Sequence, residues 1–151
     1  MKITKPKRIP YAEYKKIYSK VPRITVEVFL VKDKKILLTK RTITPAKGKW
    51  HTPGGAVLMG EKLDANVKRV AKEELGVDIK IEKMVDVIEY SSFHKEYFGQ
   101  DVTLAFLCSM KKPNQAIVLD DGASDFEFFE TLPKNMIPEQ RKSLKEKLGF
   151  E

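Results

Sequence analysis

The sequence predicts an α+β domain in which helices pack on a mixed sheet. Two observations lead there. Stretches with a period of two alternate with stretches of helical period, in the order helix, hairpin, loop, helix, several strands, helix. The 151 residues, 42% of them hydrophobic, suffice for one buried core but not comfortably for two. No internal repeat, low-complexity tract or linker divides the chain, so residues 1–151 read as a single domain.

The first element expected is a helix over residues 10–20. Pro10 stands at its start, where a fixed φ suits the first turn, and Tyr14, Ile17 and Tyr18 share one face. Pro22 ends it. Ile24, Val26, Val28 and Leu30 then alternate with Arg23, Thr25 and Glu27, the pattern of a strand. Asp33-Lys34 suits a turn into a second strand around 35–40, which makes the pair a hairpin. Residues 42–62 carry Pro45, Gly48, Pro53, Gly54, Gly55 and Gly60 and read as loop. A helix comes next, with Asp64 as its N-cap and Gly76 just past its end. Strands are expected near 79–90, 101–110 and 124–129, the second almost wholly apolar and therefore central. Pro138 opens a last helix over 138–148, in which Ile137, Leu144 and Leu148 share a face and Gly149 closes the end.

The formal net charge of +8 favours an anionic partner, either nucleic acid or a phosphorylated small molecule. No motif interleaves aromatic with basic residues, so nucleic acid is not the expected one. No stretch approaches the ~18–20 apolar residues that cross a bilayer. The basic start of the chain leads into no apolar signal region. The single cysteine, Cys108, lies in an apolar run and reads as a small buried hydrophobe. An intracellular, cytoplasmic protein is the expectation.

The informative stretch runs from Gly54 to Val77, a glycine-rich loop leading into a helix with adjacent carboxylates. Glycines let backbone approach a ligand closely. On a helix Arg69 and Glu73 are neighbours four apart, with Glu74 one position round. Magnesium prefers carboxylate, carbonyl and water oxygens and shares the rest of its shell with substrate phosphates. A loop backbone with one or two helix carboxylates is therefore a reasonable cradle for a magnesium–diphosphate unit. Without the spacing, Glu73 and Glu74 would pass for an ordinary solvated face.

That spacing resembles the Nudix box, G-x5-E-x7-R-E-U-x-E-E-x-G-U, where U is a bulky aliphatic residue. Gly55 is succeeded at the right intervals by Glu61, Arg69, Glu73, Glu74, Gly76 and Val77, over residues 55–77. The resemblance implies an α/β/α sandwich with a mixed sheet between helices, and hydrolysis of a nucleoside diphosphate linked to another group. It implies a Mg2+ site, open to Mn2+ as a substitute, held by the Gly55 backbone, Glu73 and Glu74, with Glu74 the leading ligand. Arg69 would pair with Glu61 and brace the loop against the helix.

One position departs from the pattern. The glutamate expected after the arginine is Val70, on the same side of the helix as Glu73 and Glu74. Either the site only binds nucleotides, or it works with fewer metal ions and another base. Outside the box, Lys40-Arg41-Thr42, Pro45 to Trp50 and Pro53-Gly54-Gly55 are similar to GDP-mannose mannosyl hydrolases, a Nudix subgroup that lacks the same glutamate and attacks the sugar carbon. The likeness implies that Arg41 contacts the diphosphate, with Gly54 and Gly55 beside it, and that the N-terminal helix serves a homodimer. The subgroup's arginine after the paired glycines is Ala56 here, and its late-loop histidine is missing. His51 and His94 are the chain's two histidines, and either is a candidate base. Asp120, Asp121 and Asp125 in the late loop are better placed to complete a metal shell or accept a proton.

Together these residues point to a magnesium-dependent hydrolase of a nucleotide sugar, with GDP-mannose or GDP-glucose the first compounds to try. The alternatives are a nucleoside triphosphate or dinucleotide pyrophosphohydrolase, and a nucleotide-binding module with little turnover.

Overall fold

The computed structural model describes residues 7–92 and 95–151, so His94 lies outside the described residues. Ten elements succeed one another: α1 (Tyr11–Tyr18), β1 (Arg23–Lys32), β2 (Lys35–Arg41), β3 (Trp50–His51), β4 (Gly54–Ala56), α2 (Leu63–Leu75), β5 (Ile79–Glu89), β6 (Asp101–Met110), β7 (Ala123–Phe129) and α3 (Pro138–Leu148).

The sheet is mixed. β1 runs parallel to β6 from Arg23↔Asp101 to Leu30↔Cys108, and β5 lies antiparallel on the far side of β6. The apolar β6 is thus interior, as its composition requires. β4 pairs with the other edge of β1, Val26 facing Gly55 and Glu27 facing Gly54. The expected hairpin between β1 and β2 exists only at its tip, where Val31 and Lys32 face Ile36 and Lys35. Asp33 and Lys34 both have positive φ, 49° and 63°, the twist that a two-residue hairpin turn demands. Beyond the tip β2 diverges to pair with β3 and β7. The wedge opened between β1 and β2 is where the functional site lies.

Because β1 has neighbours on both edges and helices over both faces, it is buried from Thr25 through Leu30. Val26, Val28 and Leu30 pack with Val67, Val70, Ala71 and Leu75 of α2. Phe29 faces the other way, with Leu38, Ile88 and Ala105, onto a core that includes Leu144 of α3. The result is a sheet between helices, the layered arrangement expected. Burying a side chain of this size stabilises the fold by roughly 1.5–3 kcal/mol, so both faces contribute to holding β1 in place.

Two local expectations need correction. The 42–62 segment is not all loop, since β3 and β4 are short strands within it. Their glycines and prolines disguise them, but each adds to the edge of a longer strand. Helix α2 starts at Leu63 after Lys62, and no side chain caps it. Asp64 sits instead in the first turn, where its negative charge still favours the helix dipole. Gly76 and Gly149 close α2 and α3 with left-handed φ of 69° and 74°. Among the described residues, no helix is long and apolar enough to cross a membrane.

Candidate active site

The glycine-rich segment is built by close approach. A Cβ on Gly54 would lie 2.7 Å from the Val26 carbonyl and from Glu27 Oε2, and one on Gly55 would lie 3.0 Å from Val70 Cγ2. Neither position has room for a larger side chain. Val70, 1% exposed, is the floor on which Gly55 rests, so the position that departs from the box pattern holds an apolar contact between loop and helix.

From β4 the chain returns to α2 through a turn held by ions. Arg69 donates through Nε to Glu61 Oε1 at 2.6 Å, and through Nη2 to Glu61 Oε2 at 3.1 Å and the Ala56 carbonyl at 2.9 Å. The Leu58 amide and Asn66 Nδ2 donate to that same Oε2, at 3.0 and 2.8 Å. Asn66 also bonds the Ala56 carbonyl. These partners hold the Glu61 carboxyl below its ordinary range despite burial. The Arg69–Glu61 pair fixes the loop to the helix by geometry alone.

Beyond this brace a cleft of about 440 Å3 opens, lined by residues of β1, β2, β4 and α2 and by the loops before β6 and β7. Of the acids read from the sequence, Glu73, Glu74 and Asp120 line it, whereas Asp121 and Asp125 do not. Asp121 is exposed to solvent, with its backbone carbonyl accepting from Thr42 Oγ1 at 2.7 Å. Glu73 is exposed and accepts from Arg69 and Arg8, at 3.0 and 2.6 Å. Glu74 stands deeper. Burial, and then the charge of Asp120, raise its carboxyl to about 8, against the opposing pull of a hydrogen bond from the Gly54 backbone.

The residue that sequence reasoning missed is Glu27. It reads as one polar step in an alternating strand, yet it is 8% exposed and faces the cleft. Thr52 Oγ1 donates to Oε2 at 2.7 Å, and Gln140 Nε2 and the Tyr90 hydroxyl donate to Oε1 at 3.0 and 3.1 Å. Burial raises this carboxyl too, to about 8, with the Glu74 charge adding to the effect. The sequence shows only that Thr25 and Glu27 share a face; that this face is buried appears in the fold, where Thr25 meets Thr103 across the parallel pair.

Arg41, at the end of β2, lines the same cleft and is part-buried, its Nε donating to the Pro45 carbonyl at 2.6 Å. Glu27 and Glu74 are its strongest electrostatic partners, ahead of Tyr90 and Glu96. His51 also lines the cleft, but it is buried, bonds Thr39 Oγ1 at 3.0 Å, and is held neutral by burial and by Arg41, its pKa near 3. Such an imidazole is a poor proton acceptor. Cys108 is buried, with its thiol pushed up to about 12 by burial, as a small core side chain should be.

The donor set suits a hard divalent cation. Two carboxylates, buried Glu27 and half-buried Glu74, are both pushed toward their neutral forms beside a backbone with no room for a Cβ; a bound cation would restore their charge. Among the described residues no three acidic, His or Cys side chains gather into a complete cage. Magnesium needs none, because it keeps water and phosphate oxygens in its shell.

Comparison with known proteins agrees with this geometry. The family model for the NUDIX domain matches residues 21–146. A low-salt glycan biosynthesis protein, Agl8, from Haloferax volcanii is 40% identical over 127 residues, covering 82% of this chain and 80% of that protein. An ADP-ribose pyrophosphatase from Methanocaldococcus jannaschii is 35% identical over 115 residues, covering 75% of this chain and 66% of that one. Among solved structures, a MutT NUDIX hydrolase from Burkholderia pseudomallei superposes with a TM-score of 0.74 at 25% identity, covering 83% of this chain and 97% of that chain. The matched span contains the glycine-rich strand, the Arg69–Glu61 brace and the acidic end of α2, and the chain belongs to the Nudix hydrolase family.

Proposed function

We propose that this enzyme hydrolyses a nucleoside diphosphate linked to a sugar, with GDP-mannose and GDP-glucose as first candidates. Hydrolases of this family generally use a divalent metal such as Mg2+ or Mn2+. The observation that carries the reading is that Arg41 lines one cleft with buried Glu27 and half-buried Glu74, its strongest electrostatic partners. Cation-seeking acids share the cleft with a guanidinium suited to phosphate oxygens, which is what a metal-bound diphosphate requires. The relative in glycan biosynthesis and the ADP-ribose pyrophosphatase both support a sugar-linked diphosphate.

In this proposal Glu74 and the Gly55 backbone would hold the metal, with Glu73 beside them, and Glu27 would add negative charge once a cation restores it. The metal, when bound, neutralises charge on the diphosphate. Arg41 grips the phosphates and Gly54 lets them approach the backbone. Arg69 keeps Glu61 and the loop in register and touches no reacting atom. Asp120 accepts the proton of the attacking water, while Asp121 has no part, since it lies outside the cleft. The new bond joins water oxygen to the anomeric carbon, the carbon–oxygen bond to the diphosphate breaks, and nucleoside diphosphate leaves with the bonding pair.

A second reading is favoured by the likeness to the ADP-ribose pyrophosphatase: attack at phosphorus, as in a pyrophosphohydrolase of sugar-linked, triphosphate or dinucleotide substrates. Products separate the two. Chromatography after incubation with Mg2+ should yield free sugar and nucleoside diphosphate. Nucleoside monophosphate with sugar phosphate would decide for attack at phosphorus instead.

We also infer a homodimer joined through the N-terminal side, where Ile17, Val21 and Ile24 are 39%, 48% and 46% exposed. Sedimentation showing only monomer at micromolar concentration would end that inference.

A further inference from the structure

Four guanidinia line the cleft among the described residues, those of Arg8, Arg23, Arg41 and Arg69. Two are committed to the fold. Arg23 donates twice to Asp101, at 2.8 and 2.6 Å, and lies 5.4 and 5.3 Å from the ring centres of Tyr14 and Tyr97. Arg69 is spent on Glu61 and the Ala56 carbonyl. Arg41 keeps its terminal nitrogens for a ligand, since its one side-chain hydrogen bond among the described residues uses Nε. Arg8 is the fourth, and it lies outside the 21–146 span that the family model matches.

Arg8 has one partner among the described residues, Glu73 Oε2 at 2.6 Å, and that oxygen already accepts from Arg69 Nη1 at 3.0 Å. One carboxylate oxygen therefore sits between two guanidinia, and Arg69 has Glu61 as its own counter-charge. The Arg8 and Glu73 side chains are 66% and 45% exposed, and an exposed pair of this kind contributes little. Exchange is accordingly cheap. If Arg8 leaves, Glu73 keeps Arg69 and no acid is stranded.

The position of Arg8 is set by the helix just after it. Pro10 precedes α1 directly, and α1 is seated on the loop before β6: the Tyr14 hydroxyl meets that of Tyr97 at 3.0 Å, and the Tyr14 ring meets Phe98 edge-on at 6.0 Å. Gly99 permits this seat, since a Cβ there would lie 3.0 Å from the Tyr18 carbonyl and from the Tyr97 ring. Arg8 is thus delivered to the cleft by a docked helix.

We propose that Arg8 is a phosphate-binding residue of this site, exchanging Glu73 for a non-bridging oxygen of the bound diphosphate, so that α1 and the segment before it belong to the substrate-binding machinery. This rests on reading the cleft as a nucleoside diphosphate site. A planar guanidinium with free donors and one exposed, readily exchanged partner is suited to a phosphate oxygen.

The test is calorimetric binding of GDP, ADP and inorganic pyrophosphate to wild type, Arg8→Gln and Arg8→Lys, with Mg2+ and again in chelator. None of these probes carries a sugar on its diphosphate to be released, so the readout is affinity. The expected result is that Arg8→Gln weakens GDP or ADP and pyrophosphate by a similar factor, about tenfold, that Arg8→Lys falls between, and that the thermal midpoint stays put. Equal affinities for wild type and Arg8→Gln would overturn the role of Arg8 and leave the nucleotide site standing. Wild type that binds none of the three in either condition would overturn both.

Discussion

Replacing Arg69 with alanine tests whether the brace is structural. The variant removes two bonds to a Glu61 carboxylate whose side chain is only 3% exposed, one to the Ala56 carbonyl and one to exposed Glu73. Glu61 keeps the Leu58 amide and Asn66 Nδ2 but loses its counter-charge. Removing one partner of a buried ion pair costs about 3–5 kcal/mol. Arg69 is 23% exposed, so water enters the vacated space and the cost falls to the bottom of that range or just under it, about 2–3 kcal/mol. For a domain of this size each kcal/mol moves the midpoint by roughly 2–4 °C, giving a drop of about 4–12 °C. Thermal unfolding followed by circular dichroism, in chelator near neutral pH, measures it. The sign of the pH dependence is set by the depressed Glu61 carboxyl. Its contribution is present above the ordinary carboxylate value of 4.5 and is lost as the pH falls below it. The gap between wild type and Arg69→Ala should therefore narrow in acid. A midpoint within about 2 °C of wild type would refute the reasoning, because nothing this buried can lose its partner at so small a cost.

Three further outcomes rest on the same geometry. Buried His51 has its pKa depressed from 6.5 to about 3, so stability falls as the pH drops below 6.5 and the unfolded chain takes up a proton that the fold refuses. The slope is about 1.4 kcal/mol per pH unit, and His51→Gln should flatten it in urea titrations between about pH 6 and 4; an unchanged slope would place the proton elsewhere. Glu27 is raised from 4.5 to about 8, so its contribution is intact below 4.5 and lost as pH rises through 8. Glu27→Gln should make the metal-free protein more stable near pH 8 and weaken Mg2+ binding in calorimetry, and a variant less stable there would contradict the burial account. Val70→Glu places a carboxyl in the core beside Gly55 and should destabilise the metal-free protein by about 3 kcal/mol, with partial recovery in Mg2+. The same loss with and without Mg2+ would show that position 70 does not reach the ion.

Much of the fold was legible because its signals are local. The period-two run of β1, the apolar run of β6 and the Pro138-to-Gly149 helix each carry their pattern within a dozen residues. The partition of β1 and β2 was not, because a hairpin tip looks the same whether its strands stay paired or diverge, and divergence is decided by β4, β6 and β7. The short strands β3 and β4 were hidden for the same reason: their partners lie elsewhere in the chain. At the site, Glu61, Arg69, Glu73 and Glu74 were readable from spacing along one loop and helix. Glu27 was not, because a polar residue in an alternating strand announces an exposed face, and only the second layer over β1 makes that face interior. Its partners Thr52, Tyr90 and Gln140 come from three other parts of the chain. Spacing alone could not choose among the late-loop acids, and the turn that bonds Asp120 to the Gly122 amide sends its neighbour Asp121 outward.

The most direct test of the central claim is turnover of GDP-mannose, GDP-glucose and ADP-ribose by wild type and Glu74→Gln, with Mg2+ and with chelator. Wild type with Mg2+ is predicted to hydrolyse at least one sugar-linked diphosphate, and to lose that activity on removal of either the metal or the Glu74 charge. Hydrolysis that survives Glu74→Gln at the wild-type rate would contradict the claim, because the reaction would then not depend on the deepest acid that α2 presents to the cleft.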